Sequence, residues 1–152
     1  MSYQAGWRWH SGETDEQLEL SDIGLRLRGR VDRLDEGPAG RRQVLDYKTG
    51  SAEALKRSVN DPLEDTQLAF YAALLGADRA LGAAYLALDD AKSPLLIEHS
   101  AVHRSAAALV HGVRGDWQRL QQGAGLPALG EGAVCETCEA RGLCRRDHWG
   151  GA

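Results

Sequence analysis

Asp46 and Lys48 stand two residues apart in a stretch, residues 43–48, that reads as extended chain. A strand's period of two points both side chains to one face, so a carboxylate and an ammonium share one site. Asp32 lies near the end of an earlier alternating segment, and pairing of the two segments brings it toward the same face. Two carboxylates and one lysine form a minimal phosphodiester hydrolase. The carboxylates suit a hard cation such as Mg2+ or Mn2+, which prefers oxygen ligands and keeps several waters. Such an ion polarises a phosphate and acidifies water, and the lysine orients that water or neutralises developing charge. An isolated Asp-x-Lys match, however, is more often a surface ion pair.

The elements that must position these residues are legible in outline. In residues 25–34, Leu25, Leu27, Gly29 and Val31 alternate with Arg26, Arg28, Arg30 and Asp32, the pattern of a half-buried strand. Gly37, Pro38 and Gly40 punctuate a turn before residues 43–48, so the two runs read as a β-hairpin. Trp7, Trp9 and residues 18–20 suggest further strand upstream. Asp61, Pro62 and Glu64 have the order of a capping box that opens a helix over residues 62–75, with Gly76 placed to end it. Gln67 and Tyr71, four apart in that helix, share a face. Tyr71 could equally be core, whereas a glutamine beside Leu68 and Phe70 is harder to explain by packing. Residues 83–88 and 95–97 read as a second strand pair. Ala106, Leu109, Val110, Val113, Trp117 and Leu120 mark a second amphipathic helix running to Gly123. No internal repeat is present.

With 152 residues, 43% of them hydrophobic and 26% charged, the chain has the composition of a folded domain and is too short to carry a helicase motor as well. No apolar run approaches the roughly 20 residues that cross a bilayer, and residues 1–10 lack the order of a secretory signal. A cytoplasmic protein without membrane association is expected. The net charge of −4 speaks mildly against a nucleic-acid partner. Its distribution softens the objection: acidic residues crowd positions 13–22, whereas Arg26, Arg28, Arg30, Arg33, Arg41, Arg42, Lys48, Lys56 and Arg57 surround the candidate site. Any single arginine among them reads equally as part of a solvated face.

Three blocks in order, Gly29-Arg-Val-Asp32-Arg-Leu-Asp35, Val44-Leu-Asp46-Tyr-Lys48-Thr-Gly50 and Gln67-x-x-x-Tyr71, together resemble the PD-(D/E)XK nuclease domain of RecB- and AddB-type helicase-nucleases. They are equally similar to the CRISPR-associated nucleases that process new spacers. The resemblance covers residues 29–71 and is far more specific than any block alone. It implies that Asp32, Asp46 and the Tyr47 backbone carbonyl hold the metal, that Lys48 is catalytic, and that Gln67 and Tyr71 line the site. It further implies a restriction-endonuclease-like α/β core, a mixed central sheet flanked by helices. The expected activity is that of a Mg2+- or Mn2+-dependent deoxyribonuclease, an exonuclease serving DNA repair and recombination beside a helicase region or subunit.

Cys135, Cys138 and Cys144 cluster near the end of the chain, in a segment without periodicity. Their spacing is similar to the carboxy-terminal part of the iron-sulfur staple in AddB-type nucleases, whose fourth cysteine and opening helix have no counterpart here. The resemblance thus implies a remnant 4Fe-4S motif and a chain that is the carboxy-terminal part of a longer nuclease domain. A Cys3His zinc site with His148 is the alternative. The expected organisation is a nuclease core over residues 1–124 and a metal-binding tail over residues 125–152. The alternative to an enzyme is an inactive, metal-stapled DNA-binding or structural module descended from one.

Overall fold

The computed structural model describes residues 6–59, 61, 65–76, 80–88, 94–125, 135 and 138–144. Two compact units divide the chain, Met1–Gly115 and Asp116–Ala152. The first contains a five-stranded sheet in the order β1(Arg8–Leu20), β2(Leu25–Glu36), β3(Arg42–Lys48), β4(Ala80–Ala87) and β5(Leu95–Glu98). Neighbours are antiparallel except β3 and β4, which are parallel. A parallel pair needs a crossover, and here it contains α1(Ala52–Ser58) and α2(Gln67–Leu74). After β5 comes the long helix α3(Val102–Gln121); the second unit also holds the short α4(Arg141–Cys144). This is the mixed α/β architecture of a restriction-endonuclease-like core. No helix among the described residues is long and apolar enough to cross a membrane.

The hairpin of β2 and β3 and the pairing of β4 with β5 lie where the alternation placed them. β1 is longer than its sequence suggested, because its polar residues pair along nearly the whole of β2 on an exposed ribbon. Helix α1 had not been anticipated, although its signals are present. The Ser51 side chain accepts from Ala54 N, Glu53 lies in the first turn and Lys56 and Arg57 in the last, an arrangement that complements the helix dipole.

Helix α2 begins at Gln67, later than the capping box implied: Asp65 and Thr66 are not helical, and residues 62–64 lie outside the described set. It ends as expected, with Gly76 at φ +77° and its N–H donating to the Ala73 carbonyl. Leu68, Ala69, Ala72, Ala73 and Leu74 are all buried, so α2 is apolar around its circumference and lies in the core rather than on it. Val31, Leu34, Val44, Leu68, Ala72, Leu74, Ala83 and Tyr85 form the centre of that core. Burying each large aliphatic side chain there contributes about 1.5–3 kcal/mol. Gly29 lets α2 approach β2: a Cβ at this position would stand 2.8 Å from Leu74 Cδ1 and 2.9 Å from Phe70 Cε1.

Candidate active site

Strict alternation in β2 fails at one place. Val31 and Leu34 are both 1% exposed and both in the core although they are three residues apart. Asp32 falls within this step, so it does not simply continue the outward row of Arg26, Arg28 and Arg30. The β2–β3 pairing ends at the same point, with Arg33 opposite Leu45. Beyond it Asp32 Oδ2 accepts a hydrogen bond from Tyr47 N at 3.2 Å, in place of the ladder bond. The Tyr47 carbonyl leaves the strand on the side of its own N–H, toward Asp32. The Lys48 carbonyl points the other way and accepts from Leu88 N beyond β4.

Asp46 and Lys48 do share a face of β3, the one that meets α2. Lys48 Nζ lies 2.9 Å from Asp46 Oδ2 and donates to Gln67 Oε1 at 2.6 Å. Gln67 Nε2 donates to Asp46 Oδ1 at 2.7 Å and to Tyr71 OH at 3.0 Å. Only one orientation of the glutamine amide serves both neighbours, because an ammonium can only donate and a carboxylate can only accept. Gln67 and Tyr71 are therefore brought to the Asp46–Lys48 pair, which a glutamine on an otherwise apolar helix had suggested. Tyr71, 8% exposed, is core and site lining at once.

Asp46 is 1% exposed. The Lys48 ammonium is the ion-pair partner of its Oδ2, so the buried charge is compensated from that side. Burial raises the Asp46 pKa, Lys48 opposes the shift, and the neighbouring Asp32 carboxylate adds to it. A buried carboxylate beside a second carboxylate, Asp32, gives the oxygen donors that a hard divalent cation prefers. No group of three or more His, Cys, Asp and Glu ligands forms among the described residues. A cation that retains waters does not require one.

The chain matches a known family over nearly its whole length: residues 3–145 fit the model of the PD-(D/E)XK nuclease superfamily. The chain belongs to that superfamily. No curated protein matches it. Superfamily members are nucleases that typically use Mg2+ or Mn2+, and the two aspartates and the lysine of this chain occupy the hairpin around which that reading was built.

Other expectations fare differently. Arg26 and Arg30, counted toward a basic surface, are paired with Glu19 and Glu13 across the β1–β2 ribbon. Cys135 is half-buried and Cys138 and Cys144 are exposed; none is in a disulfide, and the three are not gathered into a ligand group. His148 lies outside the described residues. Sequence reasoning missed Asp65 and Tyr85. Tyr85 OH donates to Asp65 Oδ1 at 2.5 Å, and Lys48 Nζ lies 5.1 Å from the centre of the Tyr85 ring. Tyr85 was hidden in a short apolar run, where it reads as core.

Proposed function

We propose that this chain is a metal-dependent deoxyribonuclease of RecB- and AddB-type descent. The observation that carries the reading is the closed network in which Gln67 bridges Lys48 and the buried Asp46, with Lys48 Nζ 2.9 Å from Asp46 Oδ2. Packing alone gives no reason to bury a carboxylate this way, since taking paired charges out of water costs more than a hydrophobic side chain of the same size would. Asp32, Asp46 and the Tyr47 carbonyl would hold Mg2+ or Mn2+. When bound, the cation supplies Lewis acidity toward a phosphate oxygen and a water of lowered pKa.

The protein's own residues do the rest. The Tyr47 N–H fixes Asp32, Gln67 fixes Asp46 and Lys48 relative to each other, and Tyr71 fixes Gln67. Lys48 presents a charge held in place before negative charge builds on the phosphate, so little reorganisation is needed during reaction. DNA is the proposed substrate, cut by an exonuclease working beside a helicase region or subunit in repair or recombination. The test is cleavage of end-labelled single- and double-stranded DNA with Mg2+ and with Mn2+. The parent cuts, and Lys48→Ala loses about 10³-fold in kcat, the scale of losing a charge-stabilising group. Parent and Lys48→Ala proteins that cut at equal rates would remove the catalytic assignment.

A further inference from the structure

We infer that Tyr85 and Asp65 are positioning residues for Lys48 and Gln67, an assignment that rests on the nuclease reading for its catalytic consequence. Tyr85 lies on β4 directly opposite Asp46 in the parallel ladder and is 1% exposed. Its ring and its hydroxyl do two different things. The ring lies beneath Lys48 Nζ, 5.1 Å from the centroid, within reach of a cation–π attraction. Two directions around the ammonium are taken by Asp46 Oδ2 and Gln67 Oε1. The ring bounds a third, which restricts a side chain that otherwise has four flexible bonds.

The hydroxyl acts through Asp65. Asp65 Oδ1 accepts from Tyr85 OH at 2.5 Å and from Gln67 N at 3.2 Å. Gln67 is the first residue of α2, where backbone N–H groups have no intrahelical partner. Thr66, the capping residue by position, makes no side-chain cap bond. The acceptor comes instead from Asp65, one residue earlier, and is itself held from β4. The path runs from Tyr85 to Asp65, to the Gln67 backbone, and through the Gln67 amide to Asp46 and Lys48. Burial and the Asp65 carboxylate both raise the Tyr85 pKa, so the phenol stays a neutral donor.

Three variants test this: Tyr85→Phe keeps the ring and loses the hydroxyl, Asp65→Ala removes the acceptor, and Asp65→Asn retains an oxygen that accepts from both donors. Under saturating DNA and Mg2+, Tyr85→Phe and Asp65→Ala should lower kcat about tenfold with KM little changed, since sub-ångström misplacement costs part of the about 10²-fold of a full 1 Å error. Asp65→Asn should recover most of what Asp65→Ala loses. Nuclear magnetic resonance of the metal-free protein gives a readout independent of cleavage. Exchange of the Gln67 backbone amide should accelerate at least tenfold in Tyr85→Phe and Asp65→Ala, with the Ala72 amide unchanged. The Lys48 ε-methylene protons should be shifted upfield in the parent and in Tyr85→Phe. Parent-like kcat and Gln67 exchange in both variants would overturn the Asp65 path, and unshifted Lys48 resonances would overturn the role of the ring. A parent that cuts no DNA with either metal overturns the nuclease reading, while exchange and chemical shifts still decide the positioning.

Discussion

Replacing Gln67 by Glu changes the shape of the side chain very little and reverses one of its contacts. The Oε1 that accepts from Lys48 at 2.6 Å is preserved, but the group 2.7 Å from Asp46 Oδ1 becomes a carboxylate oxygen instead of a donor. Two full charges at that distance repel by about 6 kcal/mol at an effective dielectric constant of about 20. The pair avoids most of this by holding a proton. At pH 7.5, keeping a proton on a carboxyl whose unperturbed pKa is about 4.3 costs about 4 kcal/mol, which caps the penalty. Lys48, in contact with both carboxylates, lowers it further. The sign in pH follows from linkage. The folded variant binds a proton that the unfolded chain releases above about pH 4.3, so its stability falls by up to about 1.4 kcal/mol per unit as pH rises toward the folded pKa. The deficit relative to the parent is therefore about 1 kcal/mol at pH 5 and up to about 4 kcal/mol at pH 7.5. At about 3–4 °C per kcal/mol for a chain of this size, Tm drops by about 3 °C and by about 10–15 °C respectively. Thermal melts of metal-free parent and Gln67→Glu proteins across this range measure it by circular dichroism. A Tm difference that is absent, or equal at both pH values, refutes the Gln67–Asp46 contact and the bridging network with it.

Chelation should abolish DNA cleavage, and Mg2+ or Mn2+ should restore it, because the proposed ligands are all oxygens; full activity in excess chelator with verified metal depletion would remove the metal mechanism. Asp35 is 1% exposed with Oδ2 unpartnered, and burial pushes its pKa up to about 6, against the pull of Arg33 Nε at 2.9 Å. Its folded pKa exceeds the unfolded value, so it contributes a loss of stability of at most about 3 kcal/mol as pH rises from 4 to 6. Asp35→Asn should flatten that part of the stability profile in urea titrations, and an unchanged slope would count against the shift. Gly29→Ala should cost about 1–3 kcal/mol by overpacking against Leu74 and Phe70, read from the urea midpoint; a neutral effect would mean that α2 can move away from β2.

The sequence by itself determined the hairpin, the pairing of β4 with β5, the end of α2 at Gly76 and the group Asp32, Asp46, Lys48, Gln67 and Tyr71. The elements rest on local signals, a period of two, turn residues between runs and a glycine that tolerates positive φ, whereas the site group rests on three blocks that in order resemble one nuclease family. The break at Asp65 and Thr66 ahead of α2 was not legible, because Asp65 takes its hydrogen bond from Tyr85, far away in the chain. Nor was the pairing of Arg26 and Arg30 with β1, since only the β1–β2 register sets Glu19 and Glu13 beside them. Spacing put Cys135, Cys138 and Cys144 close together in the chain, and whether thiolates converge is set by the fold around them; among the described residues no group of three ligands forms. Tertiary structure alone decided that Asp46 is buried against Lys48 and Gln67, and that Asp32 sits where the alternation of β2 breaks and its ladder with β3 ends. Burial and register depend on what other strands and helices bring to a residue, and that information is absent from the residue's own neighbours in the chain.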